Sequence, residues 1–175
     1  MKIFTKSILI TFLSCSLLMA TSCKKDDDGG GTAASSGEFT AKVNGNNYES
    51  FPEATAAQLS GAGEFQAMAV SGGTMDSENI QFIITGFDGV GTYSLNFVNI
   101  GTYSYLPDPS NPDPNTVVVF TTVGNAQGNN GEVNISTFDD TTVSGTFSFT
   151  GYNLDNIGDT VSVTNGAFNV AYTRN

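Results

Sequence analysis

The sequence predicts an all-β domain: an antiparallel β-sandwich of nine or ten short strands, with a calycin-like β-barrel as the alternative. Three observations predict it. Apolar and polar residues alternate over short runs, the period of a half-buried strand. Turn residues punctuate the chain about every 8–14 residues, the spacing of sequential antiparallel strands. Beyond the amino-terminal segment only Ala54–Ser60 tolerates a helix, and Gly61 and Gly63 close it off.

Taken in order, Phe39–Val43 alternates, Asn44-Gly45 turns, and Asn47–Ser50 returns. Asn-Gly between alternating runs is a strong short hairpin signal. Residues 54–60 and 64–71 read as two more strands. Ile80–Thr85 is nearly all apolar and reads as a strand buried on both faces. Gly91-Thr-Tyr-Ser and Gly101-Thr-Tyr-Ser recur, and Gly145-Thr-Phe-Ser echoes them. The unit is too short for a repeat protein, so each is read as a strand start. Residues 106–115 carry four of the five prolines and must loop outside the sheet, because proline has no N–H to donate. Val117–Thr122, Glu132–Phe138 and a run through Val143, Phe147 and Phe149 follow as strands. Asp139-Asp140 makes the turn between the last two. The apolar parity then flips across Asn165-Gly166, from Val161 and Val163 to Phe168, Val170 and Tyr172. A two-residue turn explains the flip and would pair Val163 with Phe168. A glycine bulge within one long strand explains it as well; the hairpin is the preferred reading.

Three parts divide the chain: 1–22, 23–37 and 38–175. Lys2 and Lys6 precede an apolar run, Ile8–Ala20. That run is shorter than the roughly 20 residues a bilayer core requires. Basic start, short apolar run and small residues at its end mark residues 1–22 as a signal peptide. Ala20-Thr21-Ser22 before Cys23 resembles the box of bacterial lipoproteins, in which the cysteine is diacylated and becomes the first mature residue. Ala20 stands where that box prefers Leu. The rival Cys15 would leave Leu17–Met19 outside the apolar run. The plain alternative is ordinary cleavage that leaves Cys23 a free thiol. Two acyl chains hold a protein to a membrane where one does so only marginally. Lys24, Lys25, Asp26, Asp27 and Asp28 resemble the charged motif that directs lipoproteins to the cell surface in Bacteroidota. The alternatives are a solvated charge run and the periplasmic leaflet of the outer membrane. Gly29–Gly37 is a flexible linker, and residues 24–37 together reach roughly 20 Å.

Composition narrows the chemistry. All 17 acidic residues follow Cys23, against Lys24, Lys25, Lys42 and Arg174. Such a surface repels phosphates and argues against nucleic acid as a partner. With Cys15 removed and Cys23 acylated, the domain has no disulfide. The chain has no His and no Trp. Ser–His and Cys–His catalysis are thereby excluded, and the commonest zinc ligand is missing. No cofactor and no metal is expected.

Phe39-Thr-Ala-Lys-Val-Asn-Gly45, the Gly-Thr-Tyr steps, Gly131-Glu-Val-Asn-Ile-Ser136, Val143–Thr150 and Val163–Val170 together resemble an uncharacterised domain family of Bacteroidota lipoproteins. The likeness spans roughly 38–172. It implies an all-β domain behind a lipoprotein signal and transfers no catalytic residue. Tyr48 stands where that family often has Trp.

Candidate sites compete with plain structural readings. Asp108, Asn111, Asp113 and Asn115, or Asp155, Asn156 and Asp159, offer oxygens to calcium but lack a calcium-loop spacing; turn formation explains them equally. Asp139 with Asp140, or Asp155 with Asp159, would be a glycosidase pair, but neighbours on a strand point to opposite faces. Tyr93, Tyr103, Tyr105 and Tyr152 would stack a sugar, or fill the core. Asp140-Thr141-Thr142 and Asp159-Thr160-Val161 match a short O-glycosylation signal of these bacteria. The resulting expectation is an outer-membrane or cell-surface lipoprotein, a non-catalytic binding or structural module of unknown specific role that is held to the membrane through its lipid, with any glycan or protein partner left open. A glycan-binding accessory of a nutrient-uptake system is the alternative, and a carboxylate hydrolase the third reading.

Overall fold

The computed structural model describes residues 37–125 and 128–175. Residues 1–36, with Cys23, the motif at Lys24–Asp28 and all of the linker but Gly37, lie outside the described residues. The domain is all-β, as the alternation and punctuation predict. Eleven strands form in chain order: β1 (Glu38–Val43), β2 (Asn46–Glu49), β3 (Thr55–Ser60), β4 (Ala67–Gly73), β5 (Glu78–Thr85), β6 (Gly91–Leu95), β7 (Ile100–Tyr105), β8 (Val118–Thr121), β9 (Gly131–Phe138), β10 (Thr142–Asn153) and β11 (Thr160–Arg174). Among the described residues the only helical pieces are three-residue 3₁₀ turns. None is long and apolar enough to cross a membrane.

The strands make two layers of one sheet. One layer runs β2-β1-β11-β10-β9-β6, and the other runs β3-β4-β5-β7-β8. Two corners join them. The end of β11 pairs in parallel with β3 from Tyr172↔Ala57 to Arg174↔Leu59, and the end of β10 pairs with β8 at Tyr152↔Thr121 and Asn153↔Phe120. The parallel corner departs from a purely antiparallel sheet. It arises because β3 enters beside the outgoing end of β11 rather than through a hairpin.

Phenylalanines fill the space between the layers. The Phe82 ring from β5 lies 5.4 Å from Phe147 of β10, 5.2 Å from Phe168 of β11 and 6.4 Å from Phe39 of β1. Phe39, Phe82 and Phe168 are fully buried. Burying such rings stabilises by about 2–3 kcal/mol each, which lets the domain hold without a disulfide.

The β1–β2 hairpin forms as predicted. Asn44 (φ 49°) and Gly45 (φ 85°) both take the left-handed conformation of a type I′ turn. Four readings need correction. β5 is buried on one face only: Ile80, Phe82 and Ile84 face the core, while Ile83 and Thr85 face out, because the outer face of that layer is uncovered. The strand expected over 64–71 begins at Ala67, after a 3₁₀ turn at Gly63–Phe65. Gly145 does not start a strand but sits inside β10. A Cβ there would lie 2.1 Å from the Asn134 carbonyl oxygen, so glycine lets β9 and β10 close.

The fourth concerns Asn165-Gly166, which does not turn. β11 continues through it with a bulge: Phe147 faces Gly166 while Phe149 faces Val163, leaving Thr164 and Asn165 opposite Ser148. Asn165 adopts φ 52° and absorbs the extra residue. A hairpin there would forfeit the ladders that β11 makes on both sides, to β1 and to β10. Gly166 is required as well, since a Cβ would meet the Phe147 ring at 2.6 Å.

Candidate functional site

At one corner of the sandwich the layers part around a cleft of about 330 Å³. Five chain segments far apart in sequence build it. Val43, Asn44, Asn46, Asn47 and Tyr48 come from the first hairpin, and Glu78 from the start of β5. Tyr103 and Tyr105 come from the end of β7, Phe120 from β8, and Asp159, Thr160 and Val161 from the start of β11.

Local pairing explains each position. Asn44 clips the hairpin turn onto β11: its N–H donates to the Ser162 carbonyl at 2.8 Å, and its Oδ1 accepts from the Ser162 N–H at 2.9 Å. Glu78 lies directly across from Tyr105, and Tyr103 across from Phe120. Alternation along β7 puts Tyr103 and Tyr105 on one face, ring centres 5.9 Å apart. Tyr103 is buried and Tyr105 partly so.

Hydrogen bonds fix the floor. Tyr48 is buried, donates its hydroxyl to the Gly72 carbonyl and accepts from the Ile80 N–H at 3.1 Å. Tyr103 donates its hydroxyl to Glu78 Oε1 at 2.5 Å. Burial, above all, pushes both phenols well above the ordinary tyrosine range; the Glu78 carboxylate adds to the rise. Neither phenol ionises near neutrality, so both act as fixed donors rather than bases. Among the described residues nothing donates to Glu78 Oε2 or to the Asp159 carboxylate. No basic residue lines the cleft.

The profile of a family described as a domain of unknown function, DUF6252, matches residues 35–171. The chain belongs to that family. No curated protein and no solved structure matches the chain.

The family description assigns no activity, so the site rests on its geometry. A second depression of about 400 Å³ lies across Tyr48 and Glu78, lined also by Ser50, Phe51, Thr74 and Asp76. The residues singled out by sequence scatter around these features. Of the four tyrosines only Tyr103 and Tyr105 reach the cleft. Tyr93 stacks 5.7 Å from Phe87 and donates its hydroxyl to Asp88 Oδ1 at 2.7 Å, while Tyr152 sits beside Asn125. They form no common platform. Asp159 and Thr160 line the cleft; Asp155 does not.

The proline loop is exposed, as predicted, and its acids serve turns. Asp108 Oδ1 accepts from the N–H and hydroxyl of Ser110, and Asp113 Oδ1 from the N–H and side-chain amide of Asn115. The Ser110 hydroxyl leads in holding the Asp108 carboxyl below its usual range. Asp139 accepts from the N–H groups and hydroxyls of both Thr141 and Thr142, and its pKa falls to about 2, the two backbone donors leading. A carboxylate so engaged is a poor general acid. No group of three His, Cys, Asp or Glu among the described residues can hold a metal ion. Thr141 and Thr160 are both exposed.

Tyr48 was marked only as standing where the family often has Trp, and Glu78 escaped the sequence reading. A faint signal existed for Tyr48, the first aromatic after an Asn-Gly turn. Glu78 carried none beyond preceding an apolar run.

Proposed function

We propose that this protein is a lipid-anchored envelope module without catalytic chemistry, which binds a small polar ligand in the cleft beside Tyr105 and Glu78. The anchor is Cys23, diacylated after removal of residues 1–22. Lys24–Asp28 directs the module to the surface of the outer membrane, with the periplasmic leaflet as the other location. The order of residues in Leu17–Asp28 supports the anchor. The observation that carries the binding reading is a cleft floored by aromatic rings and lined by two carboxylates: Glu78, held by Tyr103 through one oxygen, and Asp159, whose carboxylate accepts from no donor among the described residues. A concave site with apolar walls and a few convergent polar groups is the usual form of a small-molecule site.

A glycan is the second reading for that ligand. Tyr105 offers part of a ring, and Asn44, Asn46 and Asn47 offer amides suited to sugar hydroxyls.

Fractionating cells that express wild type and Cys23→Ser tests the anchor. The wild type should sediment with membranes and carry acyl mass on its amino-terminal cysteine, and the variant should be released. A soluble wild type with an unmodified thiol ends the anchoring account.

A further inference from the structure

We propose that the cleft selects a ligand bearing a protonated amine, rather than a neutral sugar or a metal ion. This rests on the reading that the cleft binds a small molecule. Charge decides between the classes. Two carboxylates, Glu78 and Asp159, line the cleft with no Lys or Arg among its lining residues. Oε1 of Glu78 is already occupied by Tyr103, which holds the carboxylate in place and leaves Oε2 unanswered. Tyr105 lies directly across the ladder from Glu78, so an aromatic face and an acceptor oxygen stand side by side. An ammonium group satisfies both at once: it donates to the carboxylate and meets the negative face of the ring. The amide oxygens of Asn46 and Asn47 supply further acceptors at the rim.

The rival classes fit less well. A hard cation such as calcium takes six to eight oxygens, and no cluster of acidic residues among those described gathers for it. A neutral sugar stacks on an open ring face, whereas Tyr48, Tyr103 and Phe120 are buried and only Tyr105 is partly open. A neutral ligand would also leave the half-buried Glu78 carboxylate facing it without a counter-charge. The chain's net charge of −11 draws cations toward the whole surface. The volume of about 330 Å³ suits one amino sugar or one amine-bearing side chain.

Calorimetric titration of the purified protein with matched pairs tests this. Glucosamine is compared with N-acetylglucosamine, and a blocked lysine amide with its Nε-acetylated twin, at a pH where both free amines are protonated. The expected result is that at least one amine binds, that its acetylated twin binds at least about fivefold more weakly, and that added salt weakens the amine alone. Whichever amine binds more tightly identifies an amino sugar or a lysine-type side chain as the source. Glu78→Gln, which keeps an acceptor for Tyr103, and Asp159→Asn, whose side chain holds nothing in the fold, should each weaken the amine by about fivefold. Equal binding of the acetylated twins overturns the charge selection but leaves the cleft as a binding site. No binding by any of the four overturns both.

Discussion

The acidic residues of the turns and those of the cleft look alike in the sequence and do opposite things in the fold. Asp108, Asp113 and Asp139 each accept from an N–H two residues onward, and each adds a side-chain donor. Their charge is consumed in shaping a loop. Glu78 accepts from a single phenol, Tyr103, 25 residues on in the chain; it begins β5, directly across from Tyr105 of β7, where the layers separate. Asp159 closes its turn through its backbone, its N–H donating to the Asn156 carbonyl at 2.8 Å, and leaves its carboxylate uncommitted. On the binding reading proposed above, the difference teaches where binding capacity resides: where the backbone is already paired, in a strand or a turn, and the side chain has nothing local to hold.

Perturbations of decreasing size sharpen that contrast between consumed and uncommitted groups. The largest effect belongs to the core that both regions depend on. Phe82→Ala should cost about 3–5 kcal/mol, because the ring bridges both layers and leaves a cavity; urea unfolding measures it, and a loss under 1 kcal/mol would deny the bridging role. Gly166→Ala should cost about 1–3 kcal/mol by driving a Cβ into the Phe147 ring. The same assay checks it, and a neutral outcome would mean that the bulge relaxes freely. Tyr103→Phe should cost about 1 kcal/mol by removing the donor to Glu78.

The turn acids give a smaller, pH-dependent effect. Asp139 has a folded pKa of about 2 against an unfolded value of about 3.9. Its depressed pKa adds stability that is present above about pH 4 and is lost as the pH falls toward 2. Asp139→Asn should flatten that part of the stability profile and leave the cleft's ligand response untouched. An unchanged acid limb would show that the Thr141 and Thr142 contacts do not stabilise the fold.

Much of this architecture was readable before any coordinates. Asn44-Gly45 announced a hairpin, and the odd-numbered apolar run from Val143 to Phe149 announced a strand with one buried face. Asn165-Gly166 carries the same dipeptide signal with the opposite outcome. Nothing local distinguishes them. The distinction comes from β1 and β10, which flank β11 on both sides and hold it straight through the bulge. Ile83 misled for a similar reason: an apolar run does not reveal that its outer face lacks a covering layer. The candidate site was less legible still. Two of its tyrosines were noticed as a possible platform, but Tyr48 and Glu78 acquire meaning only when the first hairpin, β5, β7, β8 and β11 converge.

The most direct test of the central claim is an amide chemical-shift map of the protein titrated with glucosamine. The account predicts perturbations confined to residues around Asn44–Tyr48, Glu78, Tyr103–Tyr105 and Asp159–Val161. Perturbations centred on the proline loop or the β9–β10 turn, with the cleft silent, would contradict it.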